Sequence, residues 1–91
     1  MKNRSARSSS GKKRSKYHVV VYNNNSMSFD YVIEAFQTIL GCDHTQAANS
    51  ANIIHLRGEY IVKTYPDKEY ADAAFEYLCE AGFRCDVLEK K

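Results

Sequence analysis

Three short runs rich in β-branched and aromatic residues punctuate the chain: "YHVVVY" (17–22), "EYIVKTY" (59–65) and "FRCDVLE" (83–89). Runs of this composition read as strands, and what lies between them leaves few folds open. After the first run, Phe29, Val32, Ile33, Phe36, Ile39 and Leu40 recur at steps of three and four, the apolar stripe of a helix. Ser26 or Ser28 offers its N-cap and Gly41 its stop. Asp43 with Gln46 three positions on forms a capping-box signature for a second helix, with Ala47, Ala51 and Ile54 on its inner face and "HLRG" closing it at Gly58. After the second run, Pro66 and Asp67 suit the start of a third helix, whose expected stripe is Tyr70, Ala73, Ala74, Tyr77, Leu78 and Ala81, with Gly82 as its stop. The order β-α-α-β-α-β predicts an α+β fold: a two-layer α/β sandwich in which one small antiparallel sheet carries its helices on one face. There are no internal repeats.

Charge divides the chain of 91 residues unevenly. Residues 1–16 carry seven bases (Lys2, Arg4, Arg7, Lys12, Lys13, Arg14 and Lys16) and no acid. The remainder carries six bases against eleven acids, a net of −5. A basic, low-complexity extension with nothing to bury is expected to be disordered over 1–16, with one folded, acidic domain over 17–91. The extension lacks the apolar stretch of a secretory signal. Although it is Arg/Ser-rich and acid-free, Met1 and Ala6 are its only apolar residues, too few for the apolar face of a transit peptide. No run approaches the ~20 apolar residues of a membrane span.

Cys42, Cys79 and Cys85 are odd in number and include no C-x-x-C pair, which suits reduced thiols in a cytoplasmic protein, small and buried, not a disulfide framework. Cys42-x-His44 is the only close pair with metal-ligand chemistry, so no metal or cofactor is expected. No acid–base pair, Cys–His arrangement or phosphate loop points to catalysis, and the chain is expected not to be an enzyme.

Asn23, Asn24 and Asn25 follow the first strand. Asparagine tolerates left-handed backbone and closes Asx turns, so the three suit a plain strand-to-helix turn; they equally offer side-chain amides to a ligand. The stretch "YHVVVYNNNSMSFDYV" resembles the "YKV-x-L-x-NDD-x-TPM-x-FV" segment of the Clp protease adaptor (ClpS) family. "IIHLRG" falls where that family has "VH-x-x-G", and "GFRC" where it has "G-x-P-L-x-C". Together these cover nearly all of residues 17–89. The resemblance implies an α/β sandwich like the C-terminal domain of ribosomal stalk proteins. It implies a non-catalytic, monomeric, cytoplasmic bacterial adaptor that binds destabilising N-terminal residues, mainly Leu, Phe, Tyr and Trp, and delivers their bearers to a hexameric AAA+ unfoldase.

The resemblance also implies site residues. A free α-ammonium has three donors and a positive charge, and needs convergent acceptors. By position these are Asn23, Asn24 and His55, with Asn24 and Asn25 standing where the family has two aspartates. A neutral acceptor contributes about 0.5–1.5 kcal/mol and a charged one about 1.5–3, so the change at Asn24 weakens the site by roughly 1 kcal/mol. An imidazole must be neutral to accept, so binding should weaken toward acid pH. The hydrophobic pocket for the terminal side chain maps to Met27, Phe29, Val32, Ala51 and Ile54. Methionines are common in the family at the positions of Phe29 and Ala51, so one wall is bulkier here and another smaller. The family's Pro-Leu is missing between Phe83 and Arg84, which predicts the loss of one pocket edge.

In the family an unstructured N-terminal extension is what the unfoldase engages, and residues 1–16 would serve. The family's unfoldase-docking acid and lysine on the third helix correspond to Lys68 and Ala73, with Glu69 and Asp72 as nearby acids. Two alternatives stand beside the adaptor reading: a diverged ClpS-like domain that docks to an unfoldase or another partner without N-degron binding, and a basic-tailed protein associated with nucleic acid or ribosomes. Against the latter, the folded part is acidic and offers no row of stacking aromatics.

Overall fold

The computed structural model describes residues 15–90. The elements run β1 (Lys16–Tyr22), α1 (Phe29–Leu40), α2 (His44–Arg57), β2 (Glu59–Tyr65), α3 (Lys68–Glu80) and β3 (Arg84–Lys90). The expected order is observed, with β1 opening one residue early and β3 shifted by one. The expected basic extension lies outside the described residues except for Ser15 and Lys16, and Lys16 is already in the strand.

β1 lies at the centre of a three-stranded antiparallel sheet ordered β2-β1-β3. Val19, Val20 and Val21 are all buried, Val19 and Val21 within the core and Val20 on the opposite face between its cross-strand neighbours Ile61 and Asp86. Between Val19 and Val20 the partner on β2 jumps from Lys63 to Ile61, a bulge that leaves Val62 unopposed and twists the edge strand. Val19 and Val21 face the helices, where Tyr60, Val62, Cys85 and Val87 pack around the same core.

The helix ends are locally encoded. Ser28 caps α1 by accepting from the Tyr31 amide, and the Asp43–Gln46 capping box of α2 is fully formed. Asp67 occupies the N-cap position of α3 but makes no side-chain cap bond. α1 buries Ile33, Ala35, Phe36 and Leu40, and α2 buries Ala47, Ser50, Ala51 and Ile54, small enough for the two helices to approach closely.

α3 is rotated from its expected phase. Its buried residues are Ala71, Ala74 and Leu78, while Tyr70 (63% exposed), Ala73 and Tyr77 (62% exposed) face outward. α3 packs against β3, β1 and α1, and the face it turns to them carries Ala71, Ala74 and Leu78. Cys79 is likewise exposed, and Cys42 and Cys85 are half-buried, so the expectation of three buried thiols is corrected.

α3 ends in a Schellman turn: the Phe83 amide donates to the Leu78 carbonyl (2.9 Å) and the Gly82 amide to the Cys79 carbonyl (3.0 Å). Gly82 has φ +98°, and an added Cβ would sit 3.1 Å from Met27 Cε. Gly41 has φ +72° with open space around it. Gly82→Ala should therefore destabilise the domain by about 1–3 kcal/mol, and more than Gly41→Ala, as read by chemical denaturation. Equal costs at the two positions would mean that Met27 yields freely.

Candidate functional site

The first residue past β1 fixes the site. The Asn23 amide donates to the Gly58 carbonyl (2.8 Å), and the Gly58 amide caps α2 at Ile54 (2.8 Å). The asparagine turn is thereby held against the last turn of α2, where His55 stands exposed. Helix C-termini carry partial negative charge, which favours a cation nearby. On its other side the turn meets the end of α3: the Asn24 side-chain amide donates to the Gly82 carbonyl (3.5 Å), and the Tyr31 hydroxyl donates to the Ala81 carbonyl (2.7 Å).

These ties enclose a pocket of about 360 Å³. The structure places all eight expected site residues around it: Asn23, Asn24 and His55 on the polar rim, and Met27, Phe29, Val32, Ala51 and Ile54 along the apolar wall. Phe29, expected in the stripe of α1, is 48% exposed on this wall and does not belong to the buried core. Four further residues line the pocket that the sequence reading did not place there: Val21, Tyr22, Asn25 and Phe83. Phe83 is a correction. Despite the missing Pro-Leu, the edge at the α3–β3 turn is filled, because Phe83 is buried and stacked between Tyr31 (ring centroids 6.1 Å apart) and Phe36 (5.4 Å).

The three asparagines differ in what they hold. Asn23 Nδ2 donates to Asn25 Oδ1 (3.0 Å), which orients the Asn23 side chain and leaves its own Oδ1 as an acceptor. Asn24 Oδ1 accepts from the Ser26 amide (3.0 Å) and the Ser26 hydroxyl (2.6 Å), an Asx turn in which both lone pairs are engaged. For Asn24 to accept from a ligand, the Ser26 hydroxyl must first rotate away. The adjacent Tyr22 phenol donates to Asp86 (2.9 Å), and that bond, with some desolvation, raises its pKa above the usual value. No carboxylate lines the pocket among the described residues, so its acceptors are neutral.

The arrangement can take a small apolar group in its wall and a hydrogen-bond donor, preferably cationic, at its rim. On α3, Lys68 pairs with Asp72 (2.8 Å) on the surface, so of the two acids near the expected docking positions Glu69 alone is outside that pair. No helix among the described residues is long and apolar enough to cross a membrane.

The fold is similar to that of Agrobacterium tumefaciens ClpS2 in its structure bound to L-phenylalaninamide, with a TM-score of 0.69 and 17% identity over 86% of this chain and 98% of that one. No curated protein sequence matches. The family model for the ATP-dependent Clp protease adaptor protein ClpS matches residues 12–82, from the end of the basic extension to the Gly82 turn. The chain therefore belongs to the ClpS family, whose members are adaptors of Clp proteolysis and not enzymes.

Proposed function

We propose that this chain binds proteins through a destabilising, hydrophobic N-terminal residue and delivers them to an AAA+ Clp unfoldase. The observation that carries this reading is the convergence of Asn23 and His55 on the rim of a pocket walled by Met27, Phe29, Val32, Ala51 and Ile54. A free α-amine beside an apolar side chain matches that division. L-phenylalaninamide, the ligand of the Agrobacterium tumefaciens protein, has the same two parts. Filling such a wall with Leu or Phe contributes about 1.5–3 kcal/mol. A labelled peptide beginning with Phe or Leu should therefore bind at least about tenfold more tightly than the same peptide beginning with Ala. Equal affinities would remove the pocket from the mechanism.

Asn24→Asp supplies a charged acceptor. One carboxylate oxygen can keep both Ser26 bonds; the other replaces Nδ2, gives up its bond to the Gly82 carbonyl and turns toward the rim. The gain is about 1 kcal/mol, and binding of a Phe-initiated peptide should tighten roughly fivefold. Unchanged affinity would mean that position 24 serves the turn alone.

A second reading has its own observation. With Asn24 Oδ1 engaged by Ser26 and no carboxylate in the lining, a diverged domain that docks to an unfoldase without binding N-degrons also fits. It predicts capture of the unfoldase N-terminal domain but no binding to peptides with any N-terminal residue. Residues 1–16 would be the segment the unfoldase engages in either case. Binding of nucleic acid by their seven bases would instead appear as capture that falls steeply with salt.

A further inference from the structure

Cys79 and Cys85 lie outside the pocket and take no part in the adaptor function as proposed. Cys79 is the penultimate residue of α3 and is exposed; Cys85 is the second residue of β3 and is half-buried. They are six positions apart, and their sulfurs meet at 3.6 Å across the Schellman turn. We propose that Cys79 and Cys85 form a reversible oxidation site, converted by a peroxide into an intramolecular disulfide.

The turn fixes the approach of the two thiols. The amides of Gly82 and Phe83 are both bonded back to the last turn of α3, so β3 departs from the helix at a set angle. A disulfide needs about 2.05 Å between sulfurs, and the remaining ~1.5 Å is within reach of side-chain rotation at the exposed cysteine. The two thiols have different roles. Burial first, and then the hydrogen bond to Cys79, push the Cys85 thiol up to about 12, so it stays protonated near neutral pH. Cys79 is the one open to solvent and meets the oxidant.

In the first step the Cys79 sulfur attacks one oxygen of hydrogen peroxide. The S–O bond forms, the O–O bond breaks, and the departing hydroxide takes a proton and leaves as water, giving a sulfenic acid. In the second step the Cys85 thiol gives up its proton and its sulfur attacks the Cys79 sulfur. The S–S bond forms, the S–O bond breaks, and the Cys85 proton leaves with the hydroxide as a second water. Two thiols lose two electrons and two protons, and one peroxide becomes two waters. The ring so closed holds Gly82 and Phe83.

The test treats the full-length protein with hydrogen peroxide and follows intact mass under non-reducing conditions. The expected result is a monomer lighter by two hydrogens, with one bridge joining the Cys79 and Cys85 peptides and reversal by dithiothreitol. Cys85→Ser should leave Cys79 as a sulfenic acid that dimedone traps, and Cys42→Ser should leave bridge formation unchanged. Disulfide-linked dimers, a bridge that includes Cys42, or a monomer that keeps all three thiols under peroxide would overturn the proposal. Cys79→Ser, at an exposed position, should abolish the bridge in a folded protein, as its far-ultraviolet spectrum would verify.

Discussion

Phe36→Ala should destabilise the domain by about 3–5 kcal/mol, the range for removing a fully buried aromatic ring. Phe36 is completely buried and is among the largest fully enclosed side chains, with Leu78, Val19 and Val21. It sits on α1, stacks on Phe83 at 5.4 Å, and its carbonyl accepts from the Cys42 amide at the end of the helix. Its loss opens a cavity at the junction of α1, the Schellman turn and the sheet. A domain of this size has about 5–15 kcal/mol to lose, so a large part of its stability would go. Chemical denaturation should show the midpoint falling steeply with little change in slope. Tyr77→Ala is the control: that ring is 62% exposed, and its removal should cost no more than about 0.5 kcal/mol. A Phe36→Ala loss near the Tyr77→Ala loss would mean that α1 collapses into the space.

The same residue shows why parts of this fold are legible in the sequence and parts are not. The stripe of α1 stands out because Ile33, Phe36 and Leu40 are large and apolar at steps of three and four, with Glu34, Gln37 and Thr38 turned outward between them. α2 is legible from its capping box, which is a local bond between Asp43 and Gln46 and needs no tertiary context. α3 defeats the same method. Alanines at 71, 73, 74 and 81 give every face some apolar character, and the tyrosines, apolar in bulk but polar at the tip, pull the apparent stripe toward 70 and 77. What selects the true face is the packing of α3 against β3, β1 and α1, which the sequence does not record. The bulge at Val62 and the contact between Cys79 and Cys85 are likewise products of geometry between elements.

The candidate site divides along the same line. Asn23, Asn24, His55 and the apolar wall are read from a resemblance in sequence, and the structure brings them to one pocket. Phe83 was missed because the shortened turn suggested an absence, when the ring of Phe83 turns back to fill it. Asn25 was missed because its part is indirect: it holds Asn23 by a side-chain bond that sequence alone cannot orient. Ser26, two residues past Asn24, is the only sequence signal for the Asx turn that occupies the Asn24 oxygen.

N-acetylation of a Phe-initiated peptide should weaken its binding on the order of 30-fold. Acetylation keeps the ring that fills the pocket but replaces a cation having three donors with a neutral amide having one. Two bonds, to Asn23 Oδ1 and to His55, are lost or weakened, and at about 1 kcal/mol for each neutral acceptor about 2 kcal/mol is at stake. His55→Ala and Asn23→Ala should each remove one acceptor and lower affinity for the free-amine peptide, while the acetylated peptide responds little. Because the rim lacks a carboxylate, Asn24→Asp should widen the gap between free and acetylated ends by the same roughly fivefold factor by which it tightens binding. An acetylated peptide that binds within threefold of the free one, while Phe is still preferred over Ala, would separate the two halves of the site. The apolar wall would stand, and the asparagine turn would be a turn only.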